Sequence, residues 1–259
     1  MQGVRDTRDA AAVVDRLRAG GQVLATWCSI DSPSAVEAVS LAGFGVVLLD
    51  LEHGEFTTAA LTDLLRAVEV GGASGVVRVA SAAQLGAALD AGAAGVLVPD
   101  VRSAATAREV VRACTYPPEG TRGAAPMTRD LRYGHRPFGE HVSTTAPLVG
   151  VQVEGPEGVD ALEEVLAVPG LDMVFLGAQD LSVRLGVPGQ LDHPELERLV
   201  AEVAARARAA GVATGVWAPD VALASRWMDA GVSLVSVSNV TVLLASAARR
   251  LVDALPVAR

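Results

Sequence analysis

The segments "LAGFGVV", "DAGAAGVLV", "AAGVATGV" and "DAGVSLVSV" repeat one local joint, in which an Ala-rich stretch ends in glycine and a short aliphatic run follows. A helix that turns back into a buried strand needs such a joint, because glycine takes the left-handed conformation that ends a helix without a Cβ penalty. Gly43, Gly92, Gly211 and Gly231 stand at that position. The intervals between joints vary, so the repetition marks successive βα units and not a solenoid of fixed period. The β-branched runs predict eight strands, over residues 23–27, 45–51, 75–79, 95–99, 148–154, 172–177, 212–217 and 233–237. Helix starts are marked by Ser32-Pro33 as N-cap and first helical residue, by Thr57 before "TAALTDLLRAVEV", and by Ser103 before "AATAREVVRAC".

Eight strands alternating with helices in 259 residues predict an α/β chain folded as one (β/α)8 TIM barrel domain over residues 1–259, with a short helix ahead of the first strand. A doubly wound sheet is the alternative, weakened because no GxGxxG follows the first strand. With 51% apolar residues and 3% aromatics, the core must be built from Ala, Val and Leu, as helices packed on buried strands are. Two intervals exceed the needs of one helix: the stretch between Pro99 and Leu148, and that around "VPGQLDHPELERL". Long connections in a compact domain are often functional.

The formal charge is −9 without any basic run, which argues against nucleic acid and anionic membrane as partners and leaves a small molecule. Cys28 and Cys114 are far apart and lack metal-type spacing, so two reduced thiols are expected. The opening "MQGVRDTRDA" is charged and no apolar run approaches the ~20 residues of a membrane helix, which suggests a soluble cytoplasmic protein. All 21 basic residues are arginine. Schiff-base catalysis through lysine, and pyridoxal phosphate held as an internal aldimine, are therefore excluded.

A barrel gathers its chemistry at the C-terminal ends of its strands. There the sequence has Trp27, then Asp50, Glu52 and His53, then Arg78, Gln152 with Glu154, Asp180, and Trp217. Gln152 and Glu154 are two apart on a strand and point to the same side; neither belongs in a dry core. If Glu154 and Asp180 converge on one mouth they repel, unless a proton or cation joins them. Magnesium commonly takes one or two protein carboxylates, whereas zinc prefers His and Cys. Blander readings stay open. Asp180 also reads as a helix N-cap, Arg78 as a structural partner of Asp50 or Glu52, and the two tryptophans as plugs of the mouth. His135, His141 and His193 read as surface residues in polar loops, and Cys28 as a buried thiol.

The motifs "LLDLEHGEF", "VVRV", "YPPEGTRG", "VQVEGPEGV" and "FLGAQDLS", in this order, resemble the HpcH/HpaI aldolases, and the resemblance runs from "GQVLATWCS" to "LLASAARRL". It implies a barrel assembled as a homo-hexamer with an exchanged last helix. It also implies reversible aldol cleavage of a 4-hydroxy-2-oxo acid to pyruvate and an aldehyde, dependent on a divalent metal such as Mg²⁺, Mn²⁺ or Co²⁺. By the same resemblance Glu154 and Asp180 hold the metal, His53 moves the proton, and Arg78 stabilises the pyruvate enolate. Asp50 organises the proton path, Asp90 in "ALDAGA" raises the basicity of the histidine, and Gln152 binds substrate. Gly177, Ala178, Gln179, Trp27 and Trp217 surround the substrate, with Gln179 and Trp217 departing from the small or aliphatic residues common there. Related enolate chemistry (oxaloacetate decarboxylation, biosynthetic carbon–carbon bond formation, acyl-CoA cleavage) and a non-catalytic binding barrel are the alternatives.

Overall fold

The computed structural model describes residues 10–255; residues 1–9, most of the charged opening segment, and 256–259 lie outside the described residues. All eight expected strands form: β1 Val23–Cys28, β2 Val46–Asp50, β3 Ser74–Arg78, β4 Gly95–Val98, β5 Leu148–Val153, β6 Met173–Leu176, β7 Ala213–Ala218 and β8 Leu234–Asn239. Neighbours in sequence pair in parallel, and β8 returns to β1, closing the barrel. Strand ends differ from expectation by a residue or two, where fraying decides the boundary.

Successive strand residues face opposite sides, and two apolar layers follow from that. Val46 and Leu48 of β2, Val76 of β3, and Met173 and Phe175 of β6 pack inside the barrel with Trp27 and Leu97. Val47, Leu49, Val77, Val174 and Leu176 pack outward against the helices. The interior is filled rather than hollow, and small residues make room for large ones: a Cβ on Gly215 would run into the Phe175 ring. On the outside, the helix Leu61–Val70 buries Leu61, Leu64, Leu65 and Val68, the spacing of one helical stripe. Each such side chain, fully buried, contributes about 1.5–3 kcal/mol.

The expected caps are largely present. The Ser32 side chain accepts from the Ala35 N–H and that of Ser103 from the Thr106 N–H. Thr57 makes no side-chain cap bond, because a 3-10 turn, Thr58–Ala60, comes between it and the α-helix. Gly43, Gly92, Gly211 and Gly231 have φ of 107°, 91°, 74° and 93°, the left-handed geometry the helix-to-strand joint requires.

Between β4 and β5 the chain forms the helix Ala104–Cys114 and then a long connection ending in the helix Phe138–Thr144. This corrects the reading of His141 as a surface residue. It is 2% exposed, its Nε2 lies 3.2 Å from Asp130 Oδ2, and its ring meets Tyr116 edge-on at 5.9 Å. His193 is an N-cap whose Nδ1 accepts from the Glu195 N–H at 3.3 Å, while His135 is exposed. Cys28 and Cys114 are buried and unpaired. The last helix, Val240–Ala254, buries only Val240 and leaves Val242, Leu244, Leu251 and Val252 exposed. Among the described residues no helix is long and apolar enough to cross a membrane.

Candidate active site

The same alternation that fills the barrel delivers its last inward positions to the mouth. On β2 the series Val46, Leu48 continues to Asp50; on β3 Val76 continues to Arg78; on β5 Leu148 and Gly150 continue to Gln152; on β7 Ala213 and Gly215 continue to Trp217. A cavity of about 390 Å³ opens there, and its walls include Asp50, His53, Arg78, Gln152, Asp180 and Trp217. A larger cavity of about 620 Å³ is lined by Gly72, Ala73, Gly92, Ala93 and His141. Those residues lead into strand starts, so the larger cavity belongs to the opposite end of the barrel, away from the convergent strand-end groups. The smaller cavity is the candidate active site.

Asp50 is 3% exposed and organises one side of it. Arg78 Nε donates to Asp50 Oδ1 at 2.9 Å and Arg78 Nη2 to Oδ2 at 2.7 Å, a two-point carboxylate–guanidinium fork. The backbone N–H groups of Glu52 and His53 donate to the same Oδ1 at 3.1 and 3.2 Å. One buried carboxylate thus fixes both the arginine and the turn that presents the histidine. Glu52 Oε2 sits 3.2 Å from Arg78 Nη1, and the guanidinium carbon lies 4.5 Å from the Trp27 ring centroid. Arg78 therefore does pair with both strand-two acids, and that pairing orients it at the cavity. His53 is open to solvent, its side chain 73% exposed, with Nε2 at 4.0 Å from Glu52 Oε2.

On the other side Asp180 lines the cavity, and Glu154 lies against two further lining residues, Gln152 and Gly177. Burial pushes the Glu154 carboxyl above the usual carboxylate range, and the charges of Asp180 and Glu52 push the same way; bonds from Gln152 and the Asp100 backbone oppose them. Gln152 Nε2 donates to Glu154 Oε2, while Gln152 Oε1 is buried with no partner. A Cβ on Gly177 would come within 2.5 Å of Glu154 Cβ and 3.0 Å of its Oε2, so glycine there leaves space for the carboxylate. Gly177 is the N-cap of the helix Ala178–Arg184, and Asp180 lies in the first turn. The reading of Asp180 as the N-cap is thus corrected: its carboxylate is left to face the cavity.

Among the described residues no three His, Cys, Asp or Glu side chains cluster tightly enough to enclose a metal. Two carboxylates and an unpartnered amide oxygen still fit a magnesium-like ion, which keeps positions open for water and substrate. They do not fit a structural zinc.

Gly177, Ala178, Gln179, Trp27 and Trp217 all line the cavity. Trp27 is 7% exposed and its Nε1 donates to Ser236 Oγ at 2.9 Å, so it floors the site beneath Arg78. Trp217 Nε1 donates to the Ser238 carbonyl at 3.0 Å. Asp90 is not brought to His53 within the chain. It ends the helix Leu85–Asp90, before β4 and at the other end of the barrel, where Arg122 Nη2 holds it at 3.1 Å. Two polar lining residues escaped the sequence reading, Ser29 just after β1 and Asn239 at the end of β8, as did the apolar Phe175 and Leu176 of β6. For the polar pair, position after a strand run was the available signal.

The HpcH/HpaI aldolase/citrate lyase family matches residues 24–247. The chain is 35% identical to a 2-dehydro-3,6-dideoxy-6-sulfogluconate aldolase of Pseudomonas putida, over 90% of this chain and 92% of that protein. It is 34% identical to a pyruvate aldolase of Rhizobium etli, over 89% and 91%. A crystal structure of an HpcH/HpaI aldolase/citrate lyase family protein from Burkholderia cenocepacia superposes with a TM-score of 0.87 at 34% identity, covering 93% of this chain and 98% of that one.

Proposed function

The chain belongs to the HpcH/HpaI aldolase/citrate lyase family, and on that premise we propose that it is a carbon–carbon lyase that reversibly cleaves a 4-hydroxy-2-oxo acid into pyruvate and an aldehyde. In cleavage the 4-hydroxyl gives up its proton, the C3–C4 bond breaks, and the aldehyde carbonyl forms. The bond's electron pair passes to C3 and the 2-oxo group as an enolate, and a proton returned to C3 completes pyruvate.

The side chains divide this work. His53, exposed at the mouth, takes and returns the hydroxyl proton, a task suited to an imidazole. Arg78, held rigid by Asp50 and Glu52, sets a fixed positive charge against the negative charge that develops. Gln152, Gly177 and Ala178 shape the pyruvate side, and Trp27 shuts off the barrel interior. Glu154 and Asp180 hold the divalent cation on which the family depends, with Mg²⁺, Mn²⁺ and Co²⁺ the candidates. When bound, the cation supplies a Lewis acid for the 2-oxo oxygen.

The observation that carries this reading is the pair Glu154 and Asp180: the charge of Asp180 adds to burial in raising the proton affinity of Glu154, and Asp180 lines a cavity that Arg78 and His53 share. Its test needs no aldehyde. Pyruvate in D₂O should exchange its methyl protons when protein and Mg²⁺ or Mn²⁺ are both present, and excess chelator should stop it. Arg78→Ala should slow the exchange by about 10²–10³. Wild-type exchange no faster than the metal-only control would sink the reading.

We further propose a homo-oligomeric, cytoplasmic enzyme, a hexamer by the family resemblance. The exposed apolar side chains of the last helix, Val242, Leu244, Leu251 and Val252, support a surface covered by another subunit, and the two unpaired thiols suit a reducing compartment. A monomer by light scattering at micromolar concentration would contradict the assembly.

A further inference from the structure

We propose that Ser236 and Trp27 form a positioning relay for Arg78, in which the buried Ser236 hydroxyl sets the plane of the Trp27 indole and the indole face sets the plane of the guanidinium. The proposal rests on the aldolase reading above, in which Arg78 meets the charge of the enolate, and traces the support of that arginine into the barrel interior.

The relay starts among apolar residues. Leu234 of β8 packs inside the barrel, and Ser236, two positions on, shares its side. Ser236 is fully buried, so its hydroxyl must find partners within the protein. It accepts from Trp27 Nε1 at 2.9 Å and donates to the Val216 carbonyl at 3.3 Å. An alanine would sit in the same layer without either bond; what the hydroxyl adds is a fixed acceptor for the indole N–H, tied to β7. The strands are shaped for this contact. β1 and β8 pair Ala25 with Ser236 but Trp27 with Asn239, so β8 takes three steps where β1 takes two. Ser238 lies in that bulge with φ of 61°, in the left-handed region that side chains rarely adopt. Bulges beside active sites re-aim side chains. Trp27 stands opposite Asn239 in register, yet its indole reaches back to Ser236.

The ring so fixed has two neighbours. Phe175 meets it edge-on, with centroids 5.7 Å apart and planes at 86°. The Arg78 guanidinium lies over its face, the central carbon 4.5 Å from the centroid. Asp50 and Glu52 hold the guanidinium by its edge, through Nε, Nη2 and Nη1. Held by its edge alone, the group can still rock about that edge. The indole face beneath it removes this freedom, because the attraction of a cation to a ring depends on its lying over the face. The N–H groups that Asp50 and Glu52 leave unused then keep one direction in the cavity that Trp27 and Arg78 both line. A cation aimed in advance meets developing negative charge without reorganising. Trp27 and Ser236 thus act through Arg78, Ser236 from a layer that substrate does not reach.

The test is a double-mutant cycle on the Mg²⁺-loaded protein, read by the rate of pyruvate methyl exchange in D₂O at a temperature where circular dichroism shows every variant folded. Ser236→Ala leaves the indole N–H without its acceptor and should slow exchange at saturating pyruvate about fivefold, the size of one such hydrogen bond. Trp27→Phe keeps a ring face but has no N–H to orient, so in that background Ser236→Ala should change the rate by less than about twofold. A loss of packing alone would instead carry through both backgrounds. The pyruvate concentration giving half-maximal exchange should move by less than about twofold in each variant, because the lost aim is felt in the transition state. Trp27→Leu removes the face itself and should slow exchange at least about tenfold; if that variant does not fold, the cycle decides alone. Exchange undiminished in Ser236→Ala, or an equal loss in both backgrounds, overturns the relay and leaves the aldolase reading standing. Absence of exchange in wild type overturns both.

Discussion

Asp50→Asn tests whether one buried carboxylate holds Arg78 and the turn that presents His53 at the mouth. The asparagine keeps an oxygen for the Arg78 Nε and for the N–H groups of Glu52 and His53, but it replaces the Oδ2 acceptor with an amide donor facing Arg78 Nη2. The pair is buried, with side-chain exposures of 11% for Arg78 and 4% for Asp50. Removing one partner of such a pair costs about 3–5 kcal/mol, because the other charge stays desolvated. Arg78 retains Glu52 at 3.2 Å and the Trp27 face, so the lower end, about 3 kcal/mol, applies. At about 2–4 °C per kcal/mol for a chain of this size, the melting temperature should fall by about 6–12 °C. Exchange of pyruvate in D₂O should fall at the same time, by about 10²–10³, as the guanidinium loses its fixed aim. Glu52→Gln is the comparison: its carboxylate is 25% exposed, and the stability change should stay within about 1 kcal/mol. A melting temperature within about 2 °C of wild type, with exchange undiminished, would refute the anchoring role of Asp50.

Three other outcomes follow from the geometry. His53→Ala should lower kcat for cleavage far more than it weakens pyruvate binding, and its 73% exposed side chain should leave the melting temperature unchanged; an unchanged kcat would make the residue structural. Burial holds the His141 imidazole below its ordinary value of 6.5 despite Asp130 beside it, so the folded state favours the neutral ring. Its stabilising contribution is full above the unfolded pKa of about 6.5 and is lost as pH falls from there through the lower folded value. His141→Phe should accordingly flatten the decline of melting temperature between about pH 7 and 5, and equal slopes in both proteins would count against it. Burial pushes the Cys114 thiol up to about 12 and raises that of Cys28, so neither should react with a thiol reagent until the protein unfolds; rapid reaction of either in the native state would contradict this.

The architecture was legible because its causes are local. Each glycine joint needs a left-handed residue, each strand run needs β-branched side chains, and both signals sit within a few residues of the feature they produce. Ser32 and Ser103 cap the helices they precede for the same reason. The strand-end acids, His53 and Arg78 were legible as polar residues breaking an apolar alternation. Asp50 falls in phase with Val46 and Leu48, and Arg78 in phase with Val76, so parity alone sends both into the mouth.

What the sequence hid depends on contacts across long separations. Ser29 and Asn239 are 210 positions apart, yet share a hydrogen bond, and each alone reads as an ordinary turn or cap residue. Asp90 and His141 carry the opposite lesson: His141 was judged by its neighbours in sequence, and Asp90 was given its role by the family resemblance alone. In the fold Arg122, 4% exposed, joins Asp90 at 3.1 Å and Asp130 at 2.7 Å, with His141 against Asp130. This cluster lies among the segments that enter the strands, the end of a barrel where polar residues commonly serve stability. Two buried acid–guanidinium groups thus face opposite ends: the one at β2 and β3 aims a charge at a cavity, and the other ties the long connection before β5 to the turn before β4. The residue types are the same in both, and what separates them is the end of the barrel from which each group projects.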